Sequence, residues 1–199
     1  MLFYRFWRAF FRCLFTVVAR WKVIGAENIP SEGPVIMVSN HASNWDPLLA
    51  ACAVNRYVSY MSKAELFDIP VLGRALPLLS VFPIKRGKSD IAALRTSLDL
   101  LAQGRVLGMF PEGTRSKTDE MLKFKTGIAM LAYKAKCPLV PVALVNSKSV
   151  LKGWFVPVRV VIGEPYLPEL PEGKANAEAL EKLTEDIQQR VRALLNEKK

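Results

Sequence analysis

The chain carries one histidine, His41, in the segment Ser39-Asn40-His41-Ala42-Ser43-Asn44-Trp45-Asp46-Pro47, directly after the apolar run Pro34 to Ser39. Imidazole has the side-chain pKa nearest neutrality, so it can take a proton from a hydroxyl and return it at cellular pH. Asp46 follows within the same turn. If that turn folds back, the carboxylate accepts the proton of one ring nitrogen, fixes the tautomer and leaves the other nitrogen as base. A lone histidine also serves simply to complete a loop or core, and this segment alone does not separate the two readings.

A second segment does. Phe110-Pro111-Glu112-Gly113-Thr114-Arg115-Ser116 closes another apolar run, with a helix start following near Thr126. A loop with a glycine, hydroxyls and an arginine can present backbone N–H groups and a guanidinium to a phosphate. Glu112 would repel an anion, so its part in such a cradle is to order the loop through hydrogen bonds. The turn Ile84-Lys85-Arg86-Gly87-Lys88 adds positive charge that could meet the same anion, although a lone basic turn is more often merely solvated.

Rival chemistries fail on missing residues. There is no Gly-x-Ser-x-Gly elbow, and Gly87-Lys88-Ser89 lacks the earlier glycine of a nucleotide-binding loop because Phe82 stands there. One histidine, three dispersed cysteines (Cys13, Cys52, Cys137) and unclustered carboxylates indicate neither a metal site nor a disulfide framework. A base without a protein nucleophile points to the substrate's own hydroxyl as nucleophile, hence to direct group transfer.

The elements that must position these residues follow from the hydrophobic pattern. Pro34 to Ser39, Tyr57 to Met61, Val106 to Phe110, Leu139 to Val145 and Val158 to Ile162 have the length and composition of strands. Asp46 to Val54, Ser89 to Gln103 and Thr126 to Lys136 read as helices, with Ser89 as an N-cap and Gly104 just past the second helix's end. From Asn176 onward Leu180, Leu183, Ile187, Val191 and Leu194 recur every three or four residues, which predicts a helix packed on one face. The alternation is that of an α/β domain, and 199 residues, 51% of them hydrophobic, suffice for one core.

Residues 1–24 differ from the expected catalytic domain, 25–199. Phe3, Phe6, Trp7, Phe10, Phe11, Leu14, Phe15 and Trp21 are interrupted by Arg5, Arg8, Arg12 and Arg20, a basic stripe if the segment is helical. The longest clean apolar stretch, Leu14 to Ala19, is too short to span a bilayer, and the segment lacks the layout of a signal peptide. An amphipathic helix lying in a membrane interface fits better than a purely core-packing one. The 28 Lys and Arg against 18 Asp and Glu, a formal +10, favour anionic partners. The aromatics concentrate in one helix instead of alternating with basic residues on a sheet, so nucleic acid ranks last among them.

His41 to Asp46 resembles the His-x-x-x-x-Asp motif of the glycerolipid acyltransferases, and Phe110 to Ser116 resembles their Phe-Pro-Glu-Gly-Thr-Arg-Ser motif. Ile84-Lys85-Arg86-Gly87 and Val140-Pro141-Val142 are similar to two further motifs in the same order. The resemblance implies a mixed sheet flanked by helices and an N-terminal membrane-docking helix. It also implies acyl-CoA or acyl-carrier protein as donor substrate with no bound cofactor, and a lysophosphatidic acid acceptor; the alternatives are a sibling enzyme that uses glycerol-3-phosphate or another lysophospholipid and, from a different class, a non-catalytic protein that binds anionic membranes, which would leave the His41 and Asp46 pairing without a purpose. His41 and Asp46 would be catalytic, with Lys85, Arg86, Glu112, Gly113, Thr114, Arg115 and Ser116 at the acceptor phosphate, on the cytoplasmic side of the inner membrane.

Overall fold

A computed structural model describes residues 2–84, 91–118, 120–152, 156–170, 173 and 175–197. The helices are α1 (Leu2–Val18), α2 (Asp46–Ala53), α3 (Pro70–Leu78), α4 (Ile91–Ala102), α5 (Gly127–Ala135) and α6 (Ala177–Glu197). The strands are β1 (Lys22–Ile24), β2 (Val35–Ser39), β3 (Val58–Lys63), β4 (Val81–Ile84), β5 (Val106–Met109), β6 (Leu139–Val145) and β7 (Arg159–Ile162). They make one sheet in the order β1-β7-β6-β2-β5-β3-β4. Every described pair is parallel except β6 with β7, so the sheet is mixed, as expected.

β2 lies at the centre, and all five of its residues are buried. Because successive side chains of a strand point to opposite faces, Val35 and Met37 enter one core layer while Ile36 and Val38 enter the other. The first layer is closed by α1 and α2 through Phe15, Leu49, Ala50 and Ala53. The second is closed by α4, α5 and α6 through Leu101, Ile128, Leu131, Leu183, Ile187 and Val191. Asn176 opens the last helix by accepting the Ala179 amide at 2.8 Å. Gly104 ends α4 at φ +73°, where the turn after a helix favours a residue without Cβ.

Several expectations change. β1 and β4 are edge strands of three and four residues that the pattern did not flag, and β1 falls within 1–24 although it is part of the sheet. α3 was not expected either. The proposed N-cap Ser89 lies outside the described residues. In α1 the basic stripe is shorter than the spacing implied, because the helix ends at Val18 and Arg20 follows it in a left-handed conformation, φ 44°. Arg8 and Arg12 turn toward the end of α2, donating to the Val54 carbonyl and the Asn55 side chain. Tyr4 and Phe15 are buried, yet Leu2, Phe3, Phe6, Phe10 and Val17 are exposed, so α1 has an inward and an outward apolar face. No described helix is long and apolar enough to cross a membrane.

Candidate active site

β2 and β5 are parallel neighbours, so the loops that follow them leave from the same edge of the sheet. The first loop is fastened by Asn40, whose side chain accepts from the Leu144 N–H at 2.8 Å and donates to the Leu144 carbonyl at 3.0 Å. His41 then turns its Nδ1 to within 2.8 Å of Asp46 Oδ2. Asp46 is the first residue of α2 and fully buried. The same Oδ2 accepts the Ala42 and Ser43 amides, each at 2.6 Å, so the carboxylate holds the loop that carries its partner. An ionised carboxylate only accepts, which places the proton of the neutral imidazole on Nδ1 and leaves the Nε2 lone pair unprotonated. The ring plane is set by stacking: His41 lies 4.4 Å and 25° from Phe110, and Phe110 lies 5.6 Å and 14° from Tyr60. Burial, helped by the Asp46 charge, pushes the Tyr60 phenol well above its ordinary range.

Glu112 joins the two loops. Its Oε1 accepts the His41 amide at 2.7 Å and its Oε2 the Leu122 amide at 3.1 Å. In return the His41 carbonyl accepts the Ser116 amide at 2.8 Å. Burial raises the Glu112 carboxyl above the usual carboxylate range, and the two amides oppose that rise. Gly113, at φ +69°, makes the turn; its N–H is already given to the Phe110 carbonyl, and a Cβ there would meet the Lys125 side chain.

The expected phosphate residues separate into groups. Arg115 is exposed, and its Nη1 donates to Asn44 Oδ1 at 2.6 Å, so the guanidinium stands beside the first loop. Thr114 is exposed nearby. Ser116 is a correction: it is buried and its hydroxyl bonds the Glu120 carbonyl at 2.6 Å and the Thr118 carbonyl at 3.0 Å, which makes it a brace of the loop. Lys85 and Arg86 lie outside the described residues. Lys125 was missed by sequence reasoning. It lines the cavity beside Gly113, two residues before α5 begins. The signal was available, since a cation at a helix N-terminus opposes the helix dipole and is out of place unless an anion joins them.

His41 opens on a cavity of about 570 Å³ that runs between the sheet and helices α4 and α5, lined by Met61, Ile84, Leu94, Met109, Ile128 and Leu131 among others. Its walls are mostly apolar, with His41, Ser97, Lys125 and Thr126 as the polar side chains among them. Such a site suits a molecule with a long apolar part and an anionic head next to a proton acceptor.

Residues 20–145, well over half of the chain and including both loops, match the family model described as Acyltransferase. The chain belongs to the acyltransferase family. Among similar members is a 1-acyl-sn-glycerol-3-phosphate acyltransferase of Bacillus subtilis, 31% identical over 180 residues that make up 88% of either chain. A Pseudomonas aeruginosa protein of the same name is 36% identical over 149 residues, 70% of this chain and 57% of the relative. A chloroplast member from Brassica napus is 35% identical over 130 residues, so the match spans only 38% of that longer protein. The crystal structure of the 1-acyl-sn-glycerophosphate acyltransferase from Thermotoga maritima superposes with a TM-score of 0.73 at 28% identity, covering 96% of this chain and 79% of that one. The family's fold is thus the fold described above, a mostly parallel sheet flanked by helices.

Proposed function

We propose that this acyltransferase moves a fatty acyl group from a coenzyme A or acyl-carrier-protein thioester to the free hydroxyl of 1-acyl-sn-glycerol-3-phosphate, giving phosphatidic acid for phospholipid synthesis. The observation that carries the reading is the His41–Asp46 pair, 2.8 Å apart, with His41 lining a largely apolar cavity that Lys125 also lines. The names of the Bacillus and Pseudomonas relatives support the acceptor. Arg115 and Lys125 supply positive charge for its phosphate, joined by Lys85 and Arg86 of the basic motif. His41 Nε2 takes the hydroxyl proton as the oxygen attacks the thioester carbonyl, and Asp46 stabilises the imidazolium. The tetrahedral intermediate collapses, the C–S bond breaks, and the departing sulfur receives the proton back from Nε2. The donor thioester is itself a substrate, consumed to a free thiol as its acyl group moves to the acceptor, and the reaction draws on no bound cofactor. The outward apolar face of α1 supports attachment at the inner membrane's cytoplasmic surface, where the acceptor resides.

The test is thiol release from an acyl thioester on addition of 1-acyl-sn-glycerol-3-phosphate, with His41→Ala alongside. Release that requires the acceptor, forms phosphatidic acid and falls about a hundredfold or more in the variant is the expected result. Equal rates in both proteins would remove His41 from the mechanism. A wild type that prefers glycerol-3-phosphate or another lysophospholipid would reassign the acceptor while keeping the chemistry.

A further inference from the structure

A crossover helix beside a sheet ordinarily lays an apolar face on it. α3 does not. Its sequence, Pro-Val-Leu-Gly-Arg-Ala-Leu-Pro-Leu, is apolar apart from Gly73 and Arg74, yet none of its residues is buried. Val71 is 83% exposed and Leu78 58%, with Leu72 and the preceding Ile69 also exposed. This surface does not stand alone. Phe3 of α1 meets Val71, Ala75 and Leu78 around a groove of about 310 Å³, which joins α3 to the outward face of α1 made by Leu2, Phe6, Phe10 and Val17. Two helices that are separate in sequence thus present one continuous apolar surface, larger than single scattered side chains account for.

Its charge says what would cover it. Neither helix contains an acidic residue, while Arg5 and Arg74 are basic and exposed, on a chain of formal charge +10. Aromatic and aliphatic side chains flanked by arginines match an anionic lipid interface, where the apolar groups enter the acyl boundary and the guanidinium groups stay with the headgroups. The location also fits. β3 runs parallel to β5 and ends at the same edge of the sheet as the His41 loop, and the chain after α3 returns through β4 to Ile84 in the cavity wall.

We infer that α3 is a second membrane-docking element, which together with α1 forms a single face for an anionic phospholipid bilayer. The inference rests on the proposed use of a membrane-borne acceptor, but it is tested by binding and not by turnover. Full-length wild type, Val71→Glu/Leu78→Glu and Phe6→Glu/Phe10→Glu are compared for co-sedimentation with vesicles of phosphatidylcholine plus phosphatidylglycerol, and for melting in buffer. Both variants are expected to melt like wild type, because the substituted positions are exposed, and to bind vesicles about tenfold or more weakly. Undiminished binding of the α3 variant would overturn the inference. Binding retained with loss of self-association would overturn it too, assigning the face to a second copy of the chain. Should the double variant fail to fold, Val71→Trp provides an independent reading: its emission is expected to be quenched by vesicles with brominated acyl chains, and unquenched emission refutes insertion. A wild type that binds vesicles through α3 but releases no thiol would defeat the proposed reaction and leave this docking face standing.

Discussion

Replacing Asp46 by Asn removes one charge and almost no volume, which isolates the electrostatic part of the site. In the native arrangement one carboxylate oxygen accepts three N–H donors, from His41, Ala42 and Ser43. The other oxygen, Oδ1, is buried with no hydrogen-bond partner among the described residues. An asparagine must put its oxygen on the three donors and strand its amide nitrogen at the Oδ1 position, or reverse and aim N–H at N–H. The first is the smaller loss and keeps the loop folded. What cannot be kept is the attraction between the carboxylate and the imidazolium that forms as the hydroxyl proton moves. Opposite charges about 4 Å apart interact by about 4 kcal/mol at an effective dielectric constant near 20. A proton half transferred gains about half of that. The expected fall in kcat is therefore about thirtyfold to a thousandfold, at about 1.4 kcal/mol per decade. Thiol release with saturating donor and acceptor measures it directly, and a parallel melt shows whether the loop has held. A folded variant that keeps kcat within a few fold of wild type would refute the claim that Asp46 stabilises the charged base.

Asn40→Ala strands the N–H and carbonyl of Leu144 inside β6; at about 1–3 kcal/mol per stranded group, we expect a loss of roughly 3 kcal/mol and a melting temperature lower by about 6–12 °C, measurable by calorimetry. Arg115→Ala should raise the acceptor KM about ten- to a hundredfold with a smaller change in kcat, and an unchanged KM would remove Arg115 from the phosphate site. Burial raises the Glu112 pKa above its ordinary value of 4.5. The folded chain then holds this proton more tightly than the unfolded one, so stability falls as pH rises from near 4.5 through the raised value. The stability of wild type relative to Glu112→Gln should accordingly decline across that window, and a flat or rising difference would show that burial does not govern this group.

What the sequence disclosed and what it hid divide along physical lines. The central strands and the helices α2, α4, α5 and α6 were legible because long apolar runs and a sustained helical period report burial, which is what built them. β1 and β4 are too short and too near the sheet's edges to leave a pattern, and β4 contains Pro83. α3 escaped because its apolar residues face outward and Pro70 and Pro77 resemble loop punctuation. At the site, the short separation of His41 and Asp46 let one turn bring them together, so their pairing could be argued in advance. The inward turn of the Ser116 hydroxyl could not, since type and spacing do not say which way a loop side chain points. Nor did composition reveal that α1 serves the core with Phe15 and solvent with Phe6 and Phe10 at once.

The bonds from Glu112 to His41 and Leu122, and from Ser116 to His41, make one joint of two loops that are 71 residues apart in the chain. That has a consequence for recombination among family members. A hybrid whose crossover falls between α2 and β5 takes one half of the joint from each parent, and any difference in the approach of the two loops is absorbed at the histidine. Hybrids exchanged ahead of β2 or beyond α5 inherit the joint whole. Shuffled libraries of these enzymes should therefore yield active members in two clusters of crossover positions, at the ends of the matched region, with a gap across its middle.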